Sequence, residues 1–176
     1  VSVITAISMD HMQYMGDTLE KIAREKCGII KPDGVTVTSA GQPEEALSVI
    51  KAAAEERGND IVIPDPGQTG YTDFGLDGIM IRYRGIEARL RLPGRHQAGN
   101  AATAIEAARA LRERYGYHIS DEAIRLGLEA AYLPARQEVL CRRPLVLLDG
   151  AHNLQGVQAL AETVKAHLKG RRTAVV

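Results

Sequence analysis

The sequence predicts an α/β fold: a mostly parallel sheet, a β-hairpin, and then a second strand–helix unit. Three observations predict it. Strand-like and helix-like segments alternate from residue 3 to residue 63, the pattern of strands joined by crossover helices. Two alternating runs, 79–84 and 87–92, flank Gly85-Ile86, and a glycine at the first turn position fits a type II′ hairpin. A final apolar run, Leu145-Val146-Leu147-Leu148, passes at once into Asp149-Gly150-Ala151-His152-Asn153 and a helical pattern carrying Val157, Leu160, Val164 and Leu168.

The opening run, Ile4-Thr5-Ala6-Ile7-Ser8, is apolar without alternation and suits a strand buried on both faces. Ligands of such sheets sit beyond the carboxyl ends of the strands, where Asp10 and His11 follow. The next helix has Asp17 as a candidate N-cap, Glu20 completing a capping box, and Gly28 as a candidate C′ residue. Leu19, Ile22, Ala23 and Lys26 fall at i, i+3, i+4 and i+7, so Lys26 shares the apolar face. An unpaired buried ammonium is costly. Lys26 therefore snorkels, pairs with a carboxylate, or loses its proton, and a free amine can add carbon dioxide to become a carbamate.

Val35-Thr36-Val37-Thr38 reads as a second strand. Pro43 suits N1 of a helix whose apolar face is Ala46, Leu47, Ile50, Ala53 and Ala54, with Gly58 as its stop. Ile61-Val62-Ile63 is a third strand, and the prolines and glycines of 64–78 predict loop. In the hairpin, Arg82, Arg84, Arg89 and Arg91 occupy the polar positions. They form either a solvated, locally paired face or a guide for an anionic substrate.

Gly94 and Gly99 are spaced as in a P-loop, but Asn100-Ala101 stands where Lys-Ser or Lys-Thr is needed, which excludes one. His96 in the same stretch can serve as a ligand or base, although a single histidine before a helix is more often structural. The helix that follows carries Ala101, Ala104, Ile105, Ala108 and Leu111. Ser120 caps another, with Asp121 and Glu122 in its first turn. Residues 131–143 read as a hinge.

Composition excludes several classes. Lys+Arg and Asp+Glu are both 22, so no global basic field argues for nucleic acid. No apolar run approaches the roughly 18 residues of a membrane span. Val1-Ser2-Val3 does not begin a signal peptide. Cys27 and Cys141 lack paired-motif spacing, which suits a reducing, cytoplasmic setting. The chain starts inside one strand pattern and stops inside another, Thr173-Ala174-Val175-Val176, as a piece of a longer protein would.

Four separated motifs carry a resemblance: Asp10-His11 with Gly16-Asp17-Thr18-Leu19 and Glu25-Lys26-Cys27-Gly28-Ile29-Ile30-Lys31-Pro32; Gly94-Arg95-His96-Gln97 leading to Asn100-Ala101; Leu133-Pro134-Ala135-Arg136-Gln137-Glu138-Val139; and Asp149-Gly150-Ala151-His152-Asn153. In this order they resemble the folylpolyglutamate synthase/dihydrofolate synthase family of the Mur ligase superfamily, ATP-dependent amide ligases. The resemblance implies that residues 1–135 are the C-terminal half of a mostly parallel-sheet, P-loop-type ATPase domain. Residues 136–143 would be a linker and 144–176 the start of a Rossmann-like C-terminal domain.

The resemblance also implies roles. His11 would bind Mg²⁺ and Lys26, carbamylated, would support the metal–phosphate site. Asn100 would read adenine, Arg136 would contact the ATP phosphates, Asp149 would contact ATP, and His152 would lie at the catalytic cleft. The cofactors would be ATP and Mg²⁺, and the substrates L-glutamate with a folate or dihydropteroate. The chain departs from the family pattern at Leu133, usually Trp; at Ala135, usually Gly; and at Leu154-Gln155, where Pro-His is commonest. Two alternatives stand beside this reading: another ligase of the superfamily acting on a cell-wall precursor, and a non-catalytic nucleotide-binding module.

Overall fold

A computed structural model of the chain describes residues 1–9 and 17–175. Strands β1 (Ser2–Ile4), β2 (Val35–Thr38) and β3 (Asp60–Val62) form a parallel sheet in that order. Helices α1 (Leu19–Lys26) and α2 (Glu44–Glu56) make the crossovers. Ile4, Ile22, Ala23, Ala46 and Ile50 close one core between the sheet and these helices.

The first strand is displaced from the expected run: β1 covers Ser2–Ile4, so only Ile4 of Ile4–Ser8 is strand, and Thr5 and Ala6 beyond it are exposed. β2, with its alternating Val-Thr-Val-Thr, is the strand buried throughout. It lies between two neighbours, and its hydroxyls are satisfied: Thr38 donates to Ile4 O at 3.0 Å and Thr36 to Asn59 Oδ1 at 3.1 Å. Threonine can therefore occupy both-face burial without leaving an orphaned polar group.

Helix ends also differ in detail. Thr18, not Asp17, caps α1, its hydroxyl accepting from Lys21 N at 3.3 Å, while Asp17 pairs with the Lys21 ammonium at 2.8 Å. Gly28 is not a left-handed C′ residue; it sits inside a 3₁₀ turn, Cys27–Ile29, that continues the helix. Pro43 is the N-cap of α2 rather than N1, and Gly58, with φ of 63°, ends the helix as expected.

The second sheet is antiparallel: β4 (Gly70–Asp73), β5 (Ile79–Tyr83) and β6 (Ile86–Leu90). β4 lies in the stretch expected to be loop; it is a mostly exposed edge strand with no apolar alternation to betray it. The β5–β6 turn is Arg84-Gly85, both with positive φ (46° and 84°), which makes it type I′ instead of type II′. Alternation holds, with Ile79, Ile81, Tyr83, Ile86, Ala88 and Leu90 facing inward. Of the four arginines, Arg82 pairs with Glu87 and Arg84 with buried Glu106, both at 2.9 Å.

Helix α3 (His96–Tyr115) lies between the two sheets. Ala98, Ala101, Ala102 and Ile105 pack on the β5–β6 face, while Ala110 packs on Val35 and Val37 of β2. Small side chains allow this close approach on two sides. Ser120 caps α4 (Asp121–Ala130), accepting from Ala123 N at 3.0 Å.

Residues 138–142, inside the expected linker, form β7 (Glu138–Arg142), which pairs antiparallel with β8 (Leu145–Leu148). β8 was read as a buried strand and is only half-covered. Helix α5 (Leu154–His167) follows, and no strand forms over 173–175.

Candidate functional site

The site begins where β1 and β2 end. Thr5, Ala6 and Ser8 beyond β1 and Ser39, Ala40 and Gly41 beyond β2 line one side of a cleft of about 1080 Å³. This is the end of a parallel sheet at which ligands bind. Buried Gln42 fixes the exit of β1. Its Oε1 accepts from Ile7 N at 2.9 Å, and its Nε2 donates to Thr5 O at 2.8 Å and to Thr38 Oγ1 at 2.9 Å. Ser39 presents a buried hydroxyl at the cleft wall that has no hydrogen-bond partner among the described residues.

The first turns of α3 form the next wall. Gly94 has φ of 95°, and a Cβ there would lie 2.7 Å from the His96 ring, so only glycine fits. Asn100 donates to Oε1 of buried Gln97 at 2.9 Å, which orients its amide at the cleft. The charges of Asp149, Glu162 and Arg136 act on His96. Burial pushes its imidazole below the ordinary histidine range; Asp149 and Glu162 oppose that shift and Arg136 reinforces it. The residue as a whole is nonetheless exposed.

The opposite wall is a loop held by one carboxylate. Asp149 Oδ2 accepts from Gln137 N at 2.8 Å, and Oδ1 accepts from Ala151 N at 2.7 Å. Gly150 N donates to Ala135 O at 2.7 Å, and Glu138 accepts from Ala135 N at 2.9 Å. These bonds hold Ala135 and Gln137 at φ of 54° and 50°, an unfavourable region for residues with a Cβ. The glycine that the family pattern expects at 135 would adopt it freely. Between the two pinned residues, the exposed Arg136 guanidinium stands at the cleft. Asn153 caps α5, accepting from Gly156 N at 2.8 Å, and brings that helix N-terminus to the same space.

Four sequence-predicted residues thus meet in one cleft: Lys26, Asn100, Arg136 and Asp149. Lys26 reaches it differently from expectation. It is exposed at the rim, and Cys27 takes the inward position of the helix. Burial pushes the Cys27 thiol pKa up. His152 does not line the cleft; its Nδ1 lies 2.9 Å from Gly150 O and the residue is exposed. His11 lies outside the described residues, and among the described residues no group of three or more His, Cys, Asp or Glu is placed to hold a metal.

Sequence reasoning missed Gln42, Ser39 and Gln137. Their roles come from backbone geometry that leaves no spacing signal. For His96 the signal was present, a histidine one turn ahead of Asn100 on the same helix start, but its opposition to Asp149 needs the fold.

Comparison with known proteins agrees with the α/β fold. The Mur ligase middle domain family matches residues 1–108. The chain is 40% identical over 184 residues to the dihydrofolate synthase/folylpolyglutamate synthase of Bacillus subtilis, covering all of this chain and 42% of that protein. It is 34% identical to the Escherichia coli protein of the same name, covering all of this chain and 40% of that one. Among solved structures, an FPGS–AMPPCP–folate complex superposes with a TM-score of 0.84 at 28% identity, over 97% of this chain and 42% of that one. A Mycobacterium tuberculosis folylpolyglutamate synthase complexed with ADP and AMPPCP gives 0.76 at 31% identity, over 93% and 38%. The chain therefore spans about two fifths of the length of the curated relatives it matches.

Proposed function

This chain belongs to the Mur ligase family through its middle domain, and on that premise we propose that it supplies part of the nucleotide site of an ATP-dependent amide ligase that adds L-glutamate to a folate or dihydropteroate. One observation carries the reading: residues from four separate motifs line a single cleft at the carboxyl ends of the parallel strands. In this reading ATP phosphorylates a substrate carboxylate. The amine of L-glutamate attacks the acyl phosphate, and phosphate leaves. Residues 1–135 act as part of the ATPase domain and 144–176 as the start of the C-terminal domain, in a cytoplasmic protein.

The residues fit ATP as substrate. The amide of Asn100 can donate and accept, as an adenine edge requires. The Arg136 fork suits a phosphate oxygen pair. The α5 N-terminus adds a positive dipole end on the same side. Asp149 acts chiefly by tying Gln137 N, next to Arg136, to its own loop at Ala151 N, so its contribution to nucleotide binding is largely positional. His152 belongs with catalysis only if the loop that carries it turns toward the cleft. Mg²⁺, when bound, offsets phosphoryl charge; the residue expected to hold it, His11, lies outside the described residues. Lys26, exposed at the rim, would as a carbamate supply negative charge to the metal–phosphate site, the role the family resemblance implies.

Two experiments test the reading. Calorimetric titration of the 176-residue chain with AMPPCP should show binding that Asn100→Ala and Arg136→Ala each weaken by about tenfold, the loss of one good or charged hydrogen bond. Binding that neither substitution alters sinks the site assignment. In a full-length ligase carrying these residues, Lys26→Ala should lose turnover, and acetate or formate should restore part of it. Rescue by an amine instead would remove the carbamate role.

A further inference from the structure

Arg136 stands between two residues that carry a Cβ in the left-handed region, Ala135 at φ of 54° and Gln137 at 50°. Such residues leave that region when nothing holds them, so the direction of the Arg136 side chain depends on what pins each neighbour. Gln137 is pinned by Asp149. Ala135 is taken at both of its polar groups. Gly150 N donates to its carbonyl at 2.7 Å, and its own N–H donates to Glu138 Oε2 at 2.9 Å.

The Glu138 carboxylate is held in turn. The Tyr132 hydroxyl donates to its other oxygen, Oε1, at 2.5 Å. Tyr132 is 66% exposed, so packing does little to place its ring and the hydroxyl bond fixes it. Tyr132 stands two residues past α4 and Glu138 opens β7, so this bond closes the chain into a ring with Arg136 inside it. The Tyr132 hydroxyl, and after it the Ala135 N–H, holds the Glu138 carboxyl below the ordinary carboxylate range. Both donors thus meet a charged acceptor, which binds them more strongly than a neutral one. The two side chains border a cavity of about 510 Å³, so their removal leaves room for water and not an enclosed void.

We infer that Glu138, oriented by the Tyr132 hydroxyl, is a positioning residue for Arg136: it holds Ala135 in the left-handed conformation that presents the guanidinium to the cleft. The requirement arises from the Cβ at position 135. A glycine there would adopt the same φ unheld, so the need for Glu138 and Tyr132 is conditional on Ala135. The inference rests on the reading of the cleft as a nucleotide site with Arg136 on the phosphates. Neither Glu138 nor Tyr132 touches the nucleotide in this account; both act through the backbone next to Arg136.

The test titrates the 176-residue chain with AMPPCP and with adenosine, which lacks the phosphates that Arg136 would hold. Glu138→Ala should weaken AMPPCP by about tenfold, as loss of a charge-assisted hydrogen bond does, and Tyr132→Phe by about two- to threefold. Adenosine affinity should be unchanged in both, which also shows that the variants are folded. Glu138→Gln should restore part of the loss, since an amide can accept from Ala135 N and donate to the Tyr132 oxygen. Ala135→Gly, added to Glu138→Ala, should restore part of it by another route, because glycine needs no tie. In an Arg136→Ala background, Glu138→Ala should have no further effect, the non-additivity expected when one residue acts through another. Equal weakening of adenosine and AMPPCP, or a Glu138→Ala effect that persists in full without Arg136, overturns the inference. AMPPCP affinity that Arg136→Ala lowers and Glu138→Ala does not overturns it while leaving the nucleotide reading intact. AMPPCP affinity that Arg136→Ala leaves unchanged removes both.

Discussion

The body of the chain and its C-terminal unit are made from similar strands and end up differently buried. In the body, Ile79, Ile81 and Ile105 are fully enclosed because α3 and α4 cover β5 and β6. In the C-terminal unit, Leu140, Val146 and Leu148 are 55%, 42% and 43% exposed on a two-stranded ribbon. Side-chain chemistry makes both sets strands; only the presence of a covering layer makes one of them core. The cleft sits at the junction, with one wall rigid and the other resting on a lightly packed unit.

The comparison predicts unequal mutational costs. Ile81→Ala should destabilise most, by about 2–5 kcal/mol, because it opens a cavity in an enclosed core; chemical denaturation measures it. Asp149→Ala should cost about 2 kcal/mol through the loss of two charged hydrogen bonds. It should also weaken AMPPCP binding even though Arg136 is intact. Unchanged nucleotide affinity in that variant would return Asp149 to a purely local role.

Ala135→Gly should stabilise by about 0.5–1 kcal/mol, the left-handed cost of alanine less the added chain entropy of glycine. A loss of stability would mean that the loop is held for another reason. Smaller still is a pH effect at His96. Its folded-state pKa lies below the unfolded value, so the unfolded state binds more protons and stability is lost as pH falls through that range. His96→Gln should therefore lose less stability than the parent between about pH 7.5 and about pH 5. Leu148→Ala should fall within about 1 kcal/mol of the parent, since little covers the side chain. A cost equal to that of Ile81→Ala would erase the contrast between the two regions.

Much of this was legible in the residues. Alternation placed the β5–β6 hairpin and its inward face, and the strand–helix rhythm of 3–63 placed the parallel sheet. What failed did so for physical reasons. An apolar run does not say where a strand ends or which strand is central, so Thr5 and Ala6 are exposed past β1 while Thr36 and Thr38 are enclosed. Gly85 marked a turn, yet the type depended on Arg84 also accepting a positive φ. β4 has no apolar period because its side chains face solvent. Within the site, Asn100, Arg136 and Asp149 were readable from motifs, but the way Asp149 holds 135–137 was not. Its carboxylate takes the Gln137 peptide N–H, and no side-chain pattern marks a backbone partner.

The Asp149 tie has a kinematic consequence. Residues 135–137 hang from the β8–α5 turn through the Asp149 carboxylate and through Gly150 N to Ala135 O. The guanidinium of Arg136 is thus cargo of the C-terminal unit. If that unit swings against the body, Arg136 and the α5 N-terminus travel together as one rigid arm. The two positive contributions would then reach a phosphate in a single stroke governed by one rate constant. Cutting the tie would split that stroke into two uncorrelated arrivals.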